Sequence, residues 1–163
     1  MTSKYLIKNV QVSGVVSDIA IENETITAIG ASLKSDGATE LDFTGSVALP
    51  GLVDLHTHLR EPGKEDAETV LSGSQAAARG GFTAVSAMAN TSPVADTAGV
   101  VEQVYRLGQS AGLVDVFPIG AVTQGIQGEH LAEIGAMADS AARVRVFSDD
   151  GNCVFDPLVM RRA

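Results

Sequence analysis

Apolar and polar positions alternate in short runs over residues 1–50, which is typical of strands that bury one face. Polar and glycine-containing stretches separate these runs and indicate turns. We therefore predict a small antiparallel β-rich module over residues 1–50. Its expected strands lie at residues 5–7, 10–12, 17–21, 25–29, 41–43 and 47–49.

From Pro50-Gly51 onward the pattern lengthens into apolar strands that alternate with amphipathic helices. The predicted strands are 52–58, 82–89, 114–122 and 144–147, and the predicted helices are 66–79, 97–111 and 130–142, with another starting at 157. A strand about every 30 residues is the repeat of βα units on a parallel sheet. We expect an α/β fold with an open four-stranded sheet or half of a (β/α)8 barrel.

Residues 51–163 contain four such units, whereas a complete (β/α)8 barrel typically takes about 250 residues. Residues 158–163 resemble a helix that stops after one or two turns. Half a barrel would leave two strand edges and much apolar surface uncovered. We therefore expect residues 51–163 to be the truncated N-terminal half of a barrel, with a missing C-terminal half or a partner covering the remainder.

Composition narrows the classes of partner. The net charge of −9 disfavours binding to nucleic acid or to anionic membranes. The single cysteine, Cys153, excludes an internal disulfide and suits a reducing compartment. The N-terminus lacks the pattern of a secretory signal, and no apolar run approaches the length of a membrane helix. These features predict a soluble, cytoplasmic protein.

The first candidate site is the stretch of residues 54–63, at the end of the first predicted strand of the α/β region. In a regular strand Asp54, His56 and His58 would share one face. Active sites of parallel barrels lie at this carboxyl end, and imidazole binds zinc and similar metals well. We predict that His56 and His58 bind a metal ion, the alternative being two structural histidines. Asp54 could orient a histidine or could cap the local backbone.

The ends of the fourth and second predicted strands carry further polar groups. Asp149-Asp150-Gly151 could supply a carboxylate that bridges two metal ions, or could be an ordinary turn; the residues alone do not distinguish the two acids. Asn90 could hold a substrate oxygen, and Arg60 could pair with a carboxylate. Either residue could also be simply solvated.

With these residues in hand, the chain resembles the dihydroorotases of the amidohydrolase superfamily, in the bacterial class whose bridging metal ligand is an aspartate. The resemblance is carried by residues 50–63, 76–83, 88–91 and 147–151. It implies a composite β-sandwich over residues 1–50 and a zinc-dependent enzyme with two ions per complete site. That enzyme interconverts dihydroorotate and N-carbamoyl-aspartate in pyrimidine biosynthesis.

The resemblance also implies residue roles. His56 and His58 would bind the first zinc, Asp150 would bridge both ions, and Arg60 and Asn90 would hold the carboxylate of dihydroorotate. Ala89 departs from the family, which commonly has a proline there. The family's remaining metal histidines and its general-base aspartate have no counterpart in this chain. We therefore expect the 163-residue chain alone to be inactive.

Two other interpretations stay open. The first is a hydantoinase-like or allantoinase-like cyclic amidohydrolase; against it, no lysine follows Lys64 that could serve as the carboxylated lysine of hydantoinases. The second is a non-catalytic dihydroorotase-like partner of aspartate transcarbamoylase. Such relatives tend to lose metal ligands, whereas this chain keeps them. The resemblance is also compatible with a homodimer, and with a transcarbamoylase partner of an active enzyme.

Overall fold

The computed structural model describes residues 3–163 and divides the chain into two compact units, which meet in the sequence between Pro50 and Gly51. Each unit forms its own sheet, with five strands in the first and three in the second. Among the described residues, no helix is long and apolar enough to cross a membrane.

The first unit is a sheet in the order β3-β2-β1-β4, with β5 also pairing with β1. Its strands are β1 (Lys4–Val12), β2 (Val15–Glu22), β3 (Thr25–Gly30), β4 (Thr39–Asp42) and β5 (Val47–Ala48). The first two connections are two-residue hairpin turns. Their central residues have positive φ, as tight hairpins that match the twist of the strands require.

The prediction of a purely antiparallel module is wrong for the last two strands. β4 and β5 both run parallel to β1, so the sheet is mixed. Residues 31–38 must therefore cross over to reach β4, whereas residues 43–46 continue along the same edge of β1 and join β4 to β5. Strand periodicity indicates that a segment is extended, but it carries no information on the direction of its partner.

A buried carboxylate holds the middle of this sheet. The register of β1 against β2 shifts between Ile7 and Val10, and Asn9 at this bulge has a φ of +59°. Asp18 accepts hydrogen bonds from Lys8 Nζ at 2.6 Å, from the Asn9 N–H at 3.1 Å and from the Leu33 N–H at 3.0 Å. Asp18 thus ties the bulge to the segment that follows β3.

The second unit alternates strands and helices. Its elements are β6 (Leu52–Thr57), α1 (Val70–Arg79), β7 (Phe82–Ala87), α2 (Ala98–Ala111), β8 (Asp115–Pro118), a 3-10 turn (Gln124–Ile126), α3 (Ile134–Asp139) and α4 (Pro157–Arg162). β6, β7 and β8 form a parallel sheet in that order. All three strands therefore end at the same edge, where polar side chains can meet.

Several elements of this unit are shorter than predicted: α1 begins at Val70 rather than at residue 66, and β8 covers only part of the strand expected over residues 114–122. The helix expected over residues 130–142 is only α3, because residues 130–132 form a bridge and backbone bonds with the loop after β8 instead. The strand expected over residues 144–147 is reduced to a single parallel bridge between Gly120 and Phe147. Its backbone exchanges two hydrogen bonds with Gly120, from the Gly120 N–H to the Val146 carbonyl at 3.1 Å and from the Ser148 N–H to the Gly120 carbonyl at 2.9 Å, too few for a ladder.

Apolar packing fixes the helices against the sheet. One buried cluster includes Val70 of α1, Val85 of β7 and Val116 of β8. α2 lies close to β8 because Gly108 has no side chain: a Cβ there would lie 2.5 Å from Val116 Cβ. A second cluster, which includes Val101, Met137 and Val144, packs α3 and the segment of residues 144–147 beside α2.

Asp18 gives a prediction on acid stability. The Lys8 ammonium, followed by the Asn9 N–H, holds the pKa of Asp18 below its ordinary value of 3.8, against the opposing effect of burial. The Asp18 carboxyl therefore binds a proton more tightly in the unfolded chain than in the folded one. Its ionised form stabilises the folded chain fully above pH 3.8, and this contribution is lost as the pH falls through the lower pKa of the folded state. Replacing Asp18 by Asn should lower the unfolding midpoint at neutral pH and weaken its decline in acid.

Thermal unfolding followed by circular dichroism between neutral pH and pH 3 would measure this effect. Asp36→Asn is the matched control, because Asp36 is an exposed aspartate of the same unit. If Asp18→Asn and Asp36→Asn shift the midpoint equally at every pH, Asp18 does not stabilise the first unit through its charge.

Candidate metal centre

Three side chains that could ligate a metal come together where the strands of the second unit end. His56 lies near the end of β6, His58 follows it, and Asp150 follows the segment paired with Gly120. Asp150 Oδ1 lies 3.3 Å from His56 Nε2, and Asp150 Oδ2 lies 3.4 Å from His58 Nε2. One potential ligand atom from each residue lies within 4.8 Å of the other two.

The spacing and chemistry of these atoms fit a zinc-like ion. Zinc bonds to nitrogen and oxygen are about 2.0–2.2 Å long, so neighbouring ligands of a tetrahedral ion lie roughly 3.3–3.6 Å apart. The distances from His56 Nε2 to Asp150 Oδ1, 3.3 Å, and from His58 Nε2 to Asp150 Oδ2, 3.4 Å, are each compatible with that interval, although they run to different oxygens. Two imidazole nitrogens and a carboxylate suit zinc better than they suit calcium or magnesium, which prefer oxygen alone. The three residues could therefore hold one metal ion.

β6 does not keep the regular alternation expected from its sequence. Its pairing with β7 contains a bulge: Asp54 pairs with Val85 and Thr57 pairs with Ala87, so three residues of β6 advance against two of β7. Asp54 and Thr57 therefore lie on one side and line a cavity beside α1. The expectation that Asp54 shares a face with the histidines is wrong. Its Oδ1 accepts a hydrogen bond from the His56 backbone N–H at 3.0 Å and so supports the backbone of the motif.

Asn90 joins the cluster from the end of β7. Its Oδ1 lies 2.9 Å from His58 Nδ1, and its Nδ2 donates to Asp150 Oδ2 at 3.3 Å. The amide therefore lies between two of the three candidate ligands. Arg60 is half-buried two residues beyond His58, with a φ of +63°. Within residues 3–163, no hydrogen bond joins its guanidinium to the cluster, so this group is available to another anion.

The loop around Arg60 is fixed by its own neighbours. Glu61 Oε2 accepts a hydrogen bond from the Val70 N–H at 2.7 Å and so satisfies a free donor at the start of α1. The Ser92 N–H donates to the Pro62 carbonyl at 2.9 Å. Gly63 has a φ of +104°, and a Cβ there would overlap the Ser92 carbonyl oxygen. The loops after β6 and β7 are therefore held together.

Asp149 has a different role from its neighbour Asp150. Its side chain is buried, and its Oδ1 accepts from the backbone N–H groups of Val122 at 2.8 Å and Thr123 at 3.0 Å. Its Oδ2 accepts from the Thr123 hydroxyl. Alternation along an extended segment could have shown from the sequence that only one of two adjacent aspartates can face the histidines. Sequence alone could not show which one.

Thr123 is a residue of the site that sequence reasoning missed. Its hydroxyl also accepts from the Gly128 N–H at 2.9 Å, while Asp96 Oδ2 accepts from the Gly125 N–H at 2.8 Å. Together with the bonds to Asp149, these bonds fix the conformation of the loop after β8, which contains the 3-10 turn. Threonine in a polar loop has no distinctive sequence signal, because the role depends on a partner 26 residues later.

Asp149→Asn tests this network. An amide cannot accept the Thr123 hydroxyl bond through its nitrogen and loses the carboxylate charge, which makes the buried bonds stronger. Losing a charged hydrogen bond costs about 1.5–3 kcal/mol, and each 1.4 kcal/mol is roughly tenfold in an equilibrium. The Val122 and Thr123 amides should therefore exchange roughly 10- to 150-fold faster with solvent deuterium, measured by NMR. The exposed Asp139→Asn is the control; unchanged protection in Asp149→Asn would contradict the role.

Comparison with known proteins shows which family the chain resembles. The dihydroorotase-like family model matches residues 45–160. The chain is similar to a dihydroorotase of Streptomyces coelicolor, with 61% identity over 162 residues, which are 99% of this chain and 38% of that protein. It is also similar to a dihydroorotase of Leifsonia xyli, with 67% identity over 147 residues, 90% of this chain and 34% of that protein.

Among solved structures, the chain is similar to an L-hydantoinase from Arthrobacter aurescens, with a TM-score of 0.64 and 23% identity over 77% of this chain and 29% of that one. This likeness shows the fold. The chain spans 34–38% of the length of the two curated relatives. Its family match extends from the last strand of the first unit through the candidate metal ligands to α4. The chain belongs to the dihydroorotase-like family.

Proposed function

We propose that this chain forms the N-terminal part of a zinc-dependent dihydroorotase, which interconverts dihydroorotate and N-carbamoyl-aspartate. The observation that carries the proposal is the convergence of His56, His58 and Asp150 in a chain of this family. The dihydroorotases of Streptomyces coelicolor and Leifsonia xyli, at 61% and 67% identity, support the choice of substrate.

The proposed metal centre uses the three clustered residues. We infer that His56 and His58 would hold one zinc ion, and that Asp150 would be shared between this ion and a second one, whose other ligands would come from outside this chain. The proximity of Asp150 to both histidines supports its assignment as a ligand of the first ion. When bound, zinc would lower the pKa of a bound water and polarise the amide carbonyl of the substrate.

The residues of this chain would bind and orient the substrate. The Arg60 guanidinium offers a planar pair of donors that matches a carboxylate. One N–H of the Asn90 amide donates to Asp150, which leaves the second for the same carboxylate. The link between their two loops, at Pro62 and Ser92, would hold these donors at a constant separation. A neutral cyclic amide lacks the group that Arg60 would recognise.

The same reasoning extends to architecture. We propose that residues 51–163 are the first four βα units of an amidohydrolase barrel, and that residues 1–50 belong to a composite β-sandwich. The parallel order β6-β7-β8 and the parallel bridge from Gly120 to Phe147 support four consecutive barrel positions. The general-base aspartate of the reaction would then be supplied by a later strand, and this chain alone would have no turnover.

A chimera provides the direct test. This chain would replace the matching 38% of the Streptomyces coelicolor dihydroorotase, to which it is 61% identical. We expect zinc-dependent turnover of dihydroorotate, lost on chelation and restored by zinc. Asp150→Ala should lower kcat/KM at least about 100-fold, because the metal supplies several kcal/mol of charge stabilisation. The exposed Asp139→Asn should leave the rate unchanged.

Other outcomes would redirect the proposal. Turnover of hydantoin or allantoin without turnover of dihydroorotate would favour another cyclic amidohydrolase. A folded chimera that binds zinc but turns over none of the three would indicate a non-catalytic role, such as a partner of a transcarbamoylase. The parent Streptomyces coelicolor enzyme and the unfused 163-residue chain are the positive and negative references.

Arg60 gives a separate prediction on specificity. Arg60→Leu in the chimera should raise KM for dihydroorotate about 10- to 150-fold, because a hydrogen bond to a charged group contributes about 1.5–3 kcal/mol. Arg79→Leu is the matched control, since Arg79 is exposed at the end of α1, away from the strand ends. Equal KM values for Arg60→Leu and the unsubstituted chimera would exclude Arg60 from substrate binding.

A further inference from the structure

We propose that Asn90 is a positioning residue that fixes the tautomer of His58, so that His58 presents the lone pair of Nε2 to the metal. The inference concerns the amide of Asn90 in the metal-free chain. It rests on the proposed function only in that the ion to be bound is zinc.

The first step is the orientation of the Asn90 amide. Its two ends face different partners, Asp150 Oδ2 at 3.3 Å and His58 Nδ1 at 2.9 Å. An ionised carboxylate can only accept hydrogen bonds, so the end of the amide that faces Asp150 has to be the NH2 group. Asp150 thereby determines which way Asn90 points, and the amide oxygen is left facing His58.

The second step is the position of the proton on His58. An amide oxygen has no hydrogen, so the 2.9 Å bond requires His58 Nδ1 to be the donor. In a neutral imidazole, a proton on Nδ1 leaves Nε2 with a free lone pair. His58 Nε2 is the nitrogen that lies 3.4 Å from Asp150 Oδ2, on the side of the candidate metal position. Of these two contacts only the one at Nδ1 is a hydrogen bond, so Nε2 is the nitrogen left for the metal.

The third step is that Asn90 itself is held in place. The preceding residue, Ala89, is fully buried, and its carbonyl accepts from the Ala95 N–H at 3.0 Å. The Met88 N–H donates to the Thr57 carbonyl at 2.9 Å, which ties this strand end to the end of β6. Asn90 thus projects from a backbone that is fixed relative to the histidine it orients.

His56 supplies an internal comparison. Among the described residues, the only side chain within ion-pair distance of its ring is Asp150, at Nε2, and no amide partner is found at Nδ1. Its side chain is 56% exposed, against 27% for His58. We therefore expect the two histidines to differ, with His58 held as an Nδ1 donor by Asn90 and His56 carrying its proton on Nε2, beside the Asp150 carboxylate.

NMR of the histidine rings tests the proposal without metal or substrate. The metal-free 163-residue chain, labelled with 15N-histidine, would be measured in mildly alkaline buffer. We expect His58 to carry its proton on Nδ1, and His56 to carry its proton on Nε2. Asn90→Ala should remove the preference of His58, because no side-chain acceptor then faces Nδ1.

Zinc affinity gives a second readout, measured by competition with a chromophoric chelator. Loss of a group that orients a metal-binding histidine typically costs 10- to 100-fold in affinity, and we expect a weakening of that size for Asn90→Ala. Ser92→Ala is the matched control, because Ser92 is an exposed residue of the same loop. It should match the unsubstituted chain in both experiments.

Two results would overturn the proposal: an Nε2-protonated His58 in the unsubstituted chain, or an Asn90→Ala chain whose His58 tautomer and zinc affinity are unchanged. The first needs no variant, so a variant that fails to fold does not block the test. Failure of the dihydroorotase proposal would look different. His58 would be Nδ1-protonated and zinc would bind, yet the chimera would not turn over dihydroorotate.

Discussion

The carboxylate of Asp149 accepts hydrogen bonds from two consecutive backbone N–H groups, of Val122 and Thr123, and from the Thr123 hydroxyl. The segment that carries Asp149 has only one bridge to its neighbour, at Gly120 and Phe147, so these bonds replace the ladder that a regular strand would have. They hold the chain where the next side chain, Asp150, faces the histidines. The placement of this candidate metal ligand depends on the buried Asp149.

From Asp149 outward, each polar group restricts the next. Asp150 faces both histidines and determines how the Asn90 amide points, and Asn90 in turn limits the protonation of His58. Carboxylates can only accept and amides have distinct ends, so the order of donors and acceptors allows few arrangements. Preorganisation of this kind reduces what metal binding has to rearrange.

The sequence predicted the strand–helix order of the second unit and picked out His56, His58, Asn90 and Asp150, which the structure brings together, because amphipathic periods and a His-x-His motif are local signals. It could not predict the bulge that turns Asp54 away from His56, since a bulge depends on pairing with β7. It likewise missed the parallel pairing of β4 and β5, and the short α3, where the loop after β8 competes for the backbone. The contact of Asn90 with His58 joins residues 32 positions apart, and no local pattern encodes it.

The close approach of Gly63 to Ser92 limits how the mouth of this site can change during evolution. Loops that carry substrate-binding residues usually diversify by insertion and deletion, because they are exposed and loosely packed. Here the backbone of one loop rests directly on the other, so a change of length in either would displace both Arg60 and Asn90. A new substrate specificity at this edge would have to come from replacing side chains while the lengths of both loops stay the same.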